Sequence, residues 1–316
     1  MYRIGIDLGG TRIKGGIIDE NFDILCEMSI PTKIKRPYEE IIADMATLAE
    51  NLITEMKITK DQVAGIGIGS PGMIDAQSGI IRYSNNFNWT GVPIVDMITQ
   101  LTGLPSAVSN DANCAALGEM EAGAGKNHEN VILLTLGTGV GSGIVINGKI
   151  FEGGHAGGAE FGHTVLIAGG EPCSCGRQGC VESYVSASAL VRDTKLALSE
   201  HPESLIRKIC EDNPDNINGK TAFDAAEMGD IVAQSVVDTY LSHLADAIVN
   251  LINVFRPDII LLGGGVCKQG VSLVDPVNEL VRSRCFGAEK AFVPQVHCAA
   301  LDNRAGLVGA AALISK

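Results

Sequence analysis

Basic residues are scarce in this chain. It has 24 lysines and arginines against 37 aspartates and glutamates, which gives a formal net charge of −13. Proteins that bind nucleic acid over an extended surface need a basic face, so we expect no nucleic-acid partner. An acidic surface still permits a local phosphate site, because backbone N–H groups in a turn can bind an anion without any basic side chain.

Long apolar segments are missing as well. No run of about 18 apolar residues occurs, so no membrane span is expected. The chain starts Met1-Tyr2-Arg3 and enters an apolar strand at once, without the regions of a secretory signal. These features predict a cytoplasmic protein with no membrane partner. Hydrophobic residues make up 46% of the 316 positions, enough for two α/β lobes with cores of their own.

Disulfide bonds are not expected either, although the chain has nine cysteines. A reducing cytoplasm keeps thiols free, so six scattered cysteines are predicted to be buried structural thiols. These six are Cys26, Cys114, Cys210, Cys267, Cys285 and Cys298. The remaining three lie close together and indicate a different chemistry.

Glycine is abundant, with 38 residues that cluster in short runs between apolar segments. An apolar strand after Arg3 enters the turn Gly9-Gly10-Thr11, and the chain returns through a second apolar strand. The same order recurs 128 residues later, where Leu136 takes the place of Leu8 and the turn is Gly137-Thr138-Gly139. One such unit in each half predicts two related lobes.

Turns of this kind have two interpretations. Consecutive N–H groups can bind phosphate oxygens, and glycine lets a ligand approach the backbone closely. An ordinary hairpin uses the same residues, so it is the presence of two matched turns that favours phosphate binding. Asp7, two residues before Gly9, can hold Mg²⁺ through water or simply cap the turn.

Strands and helices alternate along the chain, which predicts an α/β fold. The expected helices cover about 37–56, 112 onward, 186–200, 230–255 and 304–314. The expected strands cover about 63–69, 107–109 and 259–262, and the second glycine hairpin covers 131–150. No linker separates the lobes, so we expect them to share a cleft, with a hinge near 123–128. The small N-terminal lobe is predicted to comprise 1–122 with the final helix at 303–316, and the large C-terminal lobe 123–302.

The cysteine cluster has the spacing Cys-x-Cys-x₄-Cys, with a histidine ten residues before it. Its members are His163, Cys173, Cys175 and Cys180. Three thiolates and one imidazole complete a tetrahedral Zn²⁺ shell and leave no open position, so the predicted zinc is structural. Soft, clustered ligands favour zinc over thiols without metal. Gly176 and Gly179 let the loop close around the ion, and this loop can fix the nearby carboxylates of Glu160 and Glu182.

Three motifs, together with the cysteine spacing, resemble one family. They are Asp7-Leu8-Gly9-Gly10-Thr11, Asn110-Asp111 and Leu136-Gly137-Thr138-Gly139. From Ile4 to its final helix, the chain resembles the actin-like sugar kinases, and most closely the ROK family of repressors, open reading frames and kinases. The resemblance implies a duplicated actin-like (ribonuclease H-like) ATPase fold, with two lobes around a cleft. It also implies a homodimer, structural Zn²⁺, and Mg²⁺ with ATP as phosphoryl donor.

Glucokinases of the family match best. This implies phosphorylation of a hexose, D-glucose at its 6-hydroxyl, with N-acetylmannosamine or another hexose as the alternative. The resemblance makes Asp111 the catalytic base. It implies sugar contacts for Gly72, Asn85, Asn86, Asn110, Asp111, Glu160, His163 and Glu182. It implies contacts with MgATP for Asp7, Gly9, Gly10, Thr11, Lys14, Gly137, Thr138, Gly139, Gly263, Gly264 and Gly265.

Other interpretations stay open for several of these residues. Asp111 can be the N-cap of the helix that follows it, and Gly263-Gly264-Gly265 can be a helix-entry turn. His163 can serve the metal alone, each glutamate can be a solvated loop charge, and the two adjacent asparagines compete for one sugar contact. Trp89, the only tryptophan, can cover the cleft or pack in the core.

Two other functions compete with a kinase. Sugar-responsive repressors of the family carry a DNA-binding helix-turn-helix before the first lobe. Here the phosphate turn begins at Asp7, so no such element is expected. Actin-like chaperones and filament ATPases lack both the cysteine–histidine cluster and the Glu160–Glu182 pair, so that class is disfavoured too.

Overall fold

A computed structural model describes residues 1–314 of the chain. The chain divides into two compact units. Unit 1 contains Met1–Leu133, Gly143–Ala159 and Ala300–Lys316, and unit 2 contains Leu134–Ser142 and Glu160–Ala299. The boundaries of the two units differ from those of the two expected lobes. The lobes, 1–122 with 303–316 and 123–302, stay a prediction.

Strands and helices alternate along the chain, so the predicted α/β class is confirmed. Within residues 1–314 the strands are β1 (Tyr2–Leu8), β2 (Arg12–Ile18), β3 (Ile24–Pro31), β4 (Val63–Ser70), β5 (Met73–Asp75), β6 (Ile80–Ser84), β7 (Trp89–Val92), β8 (Ser106–Asn110), β9 (Val131–Leu136), β10 (Val140–Ile146), β11 (Lys149–Ile150), β12 (Ile259–Gly263) and β13 (Gln295–Cys298). The α-helices are α1 (Tyr38–Glu55), α2 (Ile94–Thr102), α3 (Asp111–Ala122), α4 (Glu182–Val185), α5 (Ala187–Glu200), α6 (Ile206–Ile209), α7 (Thr221–Glu227), α8 (Ile231–Phe255), α9 (Val271–Arg284) and α10 (Ala305–Ala312).

The first sheet has the strand order β3-β2-β1-β4-β8 and belongs to unit 1. β1 runs antiparallel to β2 and parallel to β4, and β4 runs parallel to β8. Ile4, Ile6 and Leu8 of β1 are fully buried, as expected for a central strand with both faces covered. Because β1, β4 and β8 are parallel, their carboxyl ends lie at the same edge of the sheet.

The final helix, α10, packs on this sheet and on α3, as predicted for the chain's last element. The approach is so close that only glycine fits. A Cβ at Gly67 of β4 would lie 1.7 Å from the carbonyl oxygen of Ala310, and one at Gly309 would lie 1.6 Å from that of Cys114. Replacing Gly67 would therefore push α10 away from β4, and replacing Gly309 would push it away from α3.

A small sheet of β5, β6 and β7 was not predicted. It contains Trp89, which is 4% exposed. The Trp89 ring lies 4.7 Å from the Phe87 ring and 6.3 Å from the Tyr38 ring, measured between centroids. Trp89 therefore packs in the core, which decides between its two predicted positions.

The second sheet has the order β11-β10-β9-β12-β13. In unit 2, the 25-residue helix α8 begins where the Asp230 carboxylate accepts the N–H of Ala233 at 2.8 Å. It ends at Arg256, whose backbone is left-handed, immediately before Pro257. The helix predicted over 230–255 is thus confirmed, whereas α9 and β13 were not predicted.

No helix within residues 1–314 is both long enough and apolar enough to cross a bilayer. Of the six scattered cysteines, Cys114, Cys210 and Cys285 are buried, so the prediction for these three is confirmed. It is wrong for three others, which lie partly exposed near the ends of elements or on an outer strand: Cys26, Cys267 and Cys298.

Candidate active site

One edge of the first sheet gathers several of the predicted site residues. Asp7 lies beside Gly69 in the β1–β4 register, and Ser70 lies beside Asn110 in the β4–β8 register. The first glycine turn and Asp111 follow directly from the ends of β1 and β8. Ligands of open α/β sheets bind at the carboxyl ends of the strands, so this edge is the candidate site of unit 1.

The first glycine turn joins β1 to β2 and is closed by the N–H of Gly9, which donates to the carbonyl oxygen of Arg12 at 3.1 Å. A Cβ at Gly9 would lie 2.8 Å from that same oxygen, so the fold itself requires glycine there. At Gly10 a Cβ would meet nothing within 4 Å, and the backbone is not left-handed. Within residues 1–314, neither a close contact nor a left-handed backbone requires glycine at position 10, and the space beside it is open.

Asp7 is the acidic group nearest to this turn. Partial burial raises the pKa of its carboxyl; Lys14 lowers it, and repulsion from Asp111 raises it further. The Nζ atom of Lys14 lies 3.9 Å from Asp7 Oδ2 and donates to the carbonyl oxygen of Asn303 at 3.4 Å. The structure thus brings together two carboxylates that were predicted separately, with one lysine beside them.

Asn110 and Asp111 divide two tasks between them. Asn110 is the N-cap of α3, because its Oδ1 accepts the N–H groups of Ala112 at 2.8 Å and Asn113 at 3.4 Å. Its Nδ2 donates to the carbonyl oxygen of Gly72 at 3.2 Å. The interpretation of Asp111 as the N-cap is therefore wrong. Asp111 is the first residue of the helix, and its side chain is exposed.

The environment of Asp111 raises the pKa of its carboxyl above the ordinary 3.8. Neighbouring protein removes part of the hydration of this carboxyl, and desolvation is the largest cause of the shift. Hydrogen bonds from the backbone, chiefly the N–H of Ala112 at 2.9 Å, oppose this effect. A carboxylate held in this way accepts a proton more readily than an ordinary aspartate does.

Two further predicted residues lie in the turn between β6 and β7, where Asn85 and Asn86 are both exposed. The Oδ1 of Asn85 accepts the hydroxyl of Tyr83 at 3.2 Å. Gly72 has a positive φ of 118°, and a Cβ there would lie 2.4 Å from the carbonyl oxygen of Tyr83. The fold alone therefore requires glycine at position 72, whatever its role toward a ligand.

In unit 2, the second glycine turn lies beside the glycines that follow β12. The N–H of Gly137 donates to the carbonyl oxygen of Gly139 at 3.0 Å. Gly264 has a φ of 95°, and a Cβ there would lie 2.4 Å from the carbonyl oxygen of Leu136. At Gly265 a Cβ would meet nothing within 4 Å. The structure thus brings together the two segments of unit 2 predicted to contact the nucleotide, 137–139 and 263–265.

The four predicted metal ligands converge in unit 2, with their ligating atoms within 4.8 Å of one another. Cys175 Sγ and Cys180 Sγ are 3.7 Å apart, and Cys173 Sγ is 3.6 Å from Nδ1 of His163. A tetrahedral Zn²⁺ with ordinary bond lengths places two sulfurs about 3.8 Å apart, and a sulfur and a nitrogen about 3.6 Å apart. Both separations are compatible with zinc, and Nδ1 is the ring nitrogen of His163 that faces the thiol of Cys173.

The cysteine loop also positions Glu182. Gly176 and Gly179 have positive φ values of 86° and 83°, as expected for a loop that closes on itself. Within this loop the hydroxyl of Ser174 donates to Glu182 Oε1 at 2.9 Å. The other oxygen, Oε2, accepts the N–H of Val140 at 3.1 Å, next to the second glycine turn. Glu182 therefore connects the predicted metal site to that turn.

Comparison with known proteins assigns the family. The ROK family profile matches residues 3–316. The chain belongs to the ROK family. A glucokinase from Halalkalibacterium halodurans is 37% identical over 316 residues, which cover 100% of this chain and 95% of that protein. A glucokinase from Thermotoga maritima is 36% identical, with 99% of this chain and 97% of that protein covered.

The fold of this ROK protein is likewise shared with a solved structure. A ROK family glucokinase from Streptomyces griseus, crystallised with glucose and AMPPNP, superimposes with a TM-score of 0.80 at 36% identity. The match covers 99% of both chains. The predicted duplicated actin-like ATPase fold is thereby confirmed.

Sequence reasoning missed two residues that contact the site of this ROK protein. Glu152 accepts the hydroxyl of Ser109 at 2.7 Å, beside the end of β8. Thr32 donates its hydroxyl to the carbonyl oxygen of Gly9 at 2.6 Å, in the first glycine turn. Neither residue belongs to a motif, and the two bonds join residues 43 and 23 positions apart in the sequence. No signal in the sequence marks them.

Proposed function

We propose that this ROK protein transfers the γ-phosphoryl group of ATP, bound with Mg²⁺, to the 6-hydroxyl of D-glucose. The observation that carries the proposal is the carboxylate of Asp111, exposed at the carboxyl edge of the first sheet and released from capping by Asn110. Full-length similarity to glucokinases supports the same reaction.

Asp111 acts as the general base. It accepts the proton of the sugar hydroxyl while the hydroxyl oxygen attacks the γ-phosphorus and the bond to the β-phosphate oxygen breaks. Phosphoryl transfer depends chiefly on alignment and on stabilisation of charge. Asp7 would hold the Mg²⁺ of MgATP through water, and the ion would neutralise phosphate charge. Lys14 balances the carboxylate of Asp7.

The glycine turns supply donors for the phosphates. Gly10 supports this role because the fold leaves its side-chain position open. The second turn and Gly264, which lie together in unit 2, complete the nucleotide contacts. We assign them the remaining phosphates and the adenosine, respectively, on the basis of the family resemblance.

Glu160, His163 and Glu182 of unit 2 contribute sugar contacts. With Nδ1 of His163 directed at Cys173, Nε2 is the nitrogen left for a sugar hydroxyl. We infer that structural Zn²⁺ binds His163 and the three cysteines, since their spacing and ligand types fit it. A site of reduced thiolates is consistent with a cytoplasmic protein. Separately, the family resemblance favours a homodimer.

Replacing Gly10 with alanine tests the phosphate site without disturbing the fold. The new methyl group meets no protein atom within 4 Å, so the melting temperature should stay unchanged. It would occupy the space of a phosphate oxygen, and the lost charge-assisted hydrogen bond should raise the KM for MgATP about 10- to 100-fold. Steady-state kinetics with varied ATP measure this. An unchanged KM for MgATP would show that the turn does not bind the donor.

A comparison of sugars tests the substrate. In a coupled ADP assay, kcat/KM for D-glucose should exceed that for N-acetylmannosamine at least about 10-fold, because polar groups of the site would be left unpaired by the wrong sugar. Without sugar, ADP release should be slow. A higher kcat/KM for N-acetylmannosamine would overturn the glucose assignment, and rapid ATP hydrolysis without sugar would favour an ATPase of another class.

A further inference from the structure

Thr32 touches the first glycine turn at two points. It follows Pro31 at the end of β3, and its side chain is fully buried. Its hydroxyl donates to the carbonyl oxygen of Gly9 at 2.6 Å, and its N–H donates to the carbonyl oxygen of Thr11 at 3.0 Å. One residue outside the turn therefore holds two of the turn's three carbonyl groups.

This contact sets the direction of the turn's donors. In a trans peptide the C=O and the N–H of one plane point in opposite directions. Holding the carbonyl of Gly9 toward Thr32 directs the N–H of Gly10 away from it, and the carbonyl of Thr11 fixes the N–H of Arg12 in the same way. If the peptide plane between Gly9 and Gly10 rotated, the carbonyl oxygen of Gly9 would take the place of the N–H of Gly10 and would repel a phosphate.

The second turn has the same arrangement, built from a different donor. The N–H of Ala187, the first residue of α5, donates to the carbonyl oxygen of Gly137 at 2.8 Å. Gly137 matches Gly9 when the two turns are aligned. A hydroxyl and a backbone N–H thus hold the equivalent carbonyl in the two halves. What the two turns share is the direction of that carbonyl, rather than a residue type.

Thr32 is itself held firmly. The guanidinium of Arg36 donates through Nη2 to the carbonyl oxygen of Thr32 at 3.1 Å and to Asp44 Oδ2 of α1 at 2.5 Å. The chain turns sharply between Thr32 and Arg36, since Lys33 has a positive φ of 50°. Helix α1 therefore anchors Thr32, and Thr32 in turn anchors the glycine turn.

We propose that Thr32 is a positioning residue for the phosphoryl donor. It keeps the N–H groups of the first glycine turn directed at the phosphates of MgATP without touching the nucleotide. The inference rests on the proposed role of this turn in phosphate binding.

Thr32→Val tests the inference, because valine keeps the shape and the backbone N–H but removes the hydroxyl. The KM for MgATP should rise about 3- to 10-fold, as expected for one lost neutral hydrogen bond, while the KM for glucose stays unchanged. Thr32→Ser should restore the KM for MgATP. The matched control is Thr102→Val in α2. Like Thr32, Thr102 is buried, at 2% exposed, and its hydroxyl donates to a backbone carbonyl oxygen, that of Ile98, at 2.8 Å. This control should lower the melting temperature without altering either KM.

Each outcome decides the inference. An unchanged KM for MgATP in Thr32→Val, with a raised KM in Gly10→Ala, overturns the role of Thr32 and leaves the proposed function standing. An unchanged KM in Gly10→Ala overturns the phosphate-binding role of the first glycine turn, and the inference about Thr32 with it. Equal effects of Thr32→Val and Thr102→Val assign the loss to general destabilisation and overturn the inference. If Thr32→Val unfolds at the assay temperature, the Kd for MgADP measured at low temperature, with the same variants, takes the place of KM.

Discussion

Replacing Asp111 with asparagine is expected to lower kcat at least about 100-fold, the usual scale for a lost acid–base group. Asparagine keeps the side-chain oxygen that accepts the N–H of Ala112 at 2.9 Å, but it cannot accept the hydroxyl proton. The KM for MgATP should change little, because Asp111 is assigned to the sugar and not to the nucleotide. Steady-state kinetics with both substrates varied measure the two effects.

The stability of the same variant separates catalysis from structure. Desolvation raises the pKa of Asp111 above its ordinary 3.8. The ionised carboxylate therefore lowers the stability of the folded state at pH values above the raised pKa, and this cost disappears as the pH falls below 3.8. Asparagine carries no charge, so Asp111→Asn should be at least as stable as the native protein at pH 7. Asn110→Ala, which removes the cap, should lose about 0.5–2 kcal/mol.

A control exists in another helix of unit 1. Asp96 is an exposed acid in the first turn of α2, and Asp96→Asn should leave kcat unchanged. As the pH is lowered, kcat/KM of the native protein should begin to fall at a pH above 3.8. The reason is that Asp111 must be ionised to act as the base, and its pKa is raised above 3.8. Near-normal turnover of Asp111→Asn would show that this carboxylate is not the base.

The features that could be read from the sequence are local. A glycine turn between two apolar strands is specified by a few consecutive residues, so the turns at 9–11 and 137–139 were found, and their duplication predicted two related halves. The metal ligands were found for the same reason: Cys173, Cys175 and Cys180 lie within eight residues, and the ligand types limit the chemistry. Helices with a long apolar periodicity, such as α8, were also predictable.

The features that could not be read depend on contacts between distant segments. Thr32 sits in no motif, and its hydroxyl finds Gly9 only after β3 has paired beside β2. The division of roles between Asn110 and Asp111 depends on which of two adjacent side chains turns back to the helix, and either residue type caps helices well. β13 has four residues and gains its partner only through the parallel register with β12.

Replacing Cys175 with serine is expected to remove the zinc and to weaken sugar binding. Native protein should contain one zinc per chain by elemental analysis, and the variant should contain little, because a hydroxyl is a poor ligand in place of a thiolate. The loop that holds Ser174 against Glu182 Oε1 at 2.9 Å would then lose its anchor. A lost hydrogen bond to a charged group is worth about 1.5–3 kcal/mol, so the KM for glucose should rise about 10-fold or more.

Cys26→Ser provides the matched control, since Cys26 is a partly exposed free thiol in β3 of unit 1, outside the metal cluster. It should retain its zinc and its KM for glucose. Adding a chelator to the native protein should reproduce the effect of Cys175→Ser, and restoring zinc should reverse it, because the free energy of metal binding is what orders the loop. Full glucose affinity in a zinc-free protein would show that the loop holds Glu182 without the metal. In that case the hydrogen bond from Ser174 and the positive φ angles of Gly176 and Gly179 would suffice to order it.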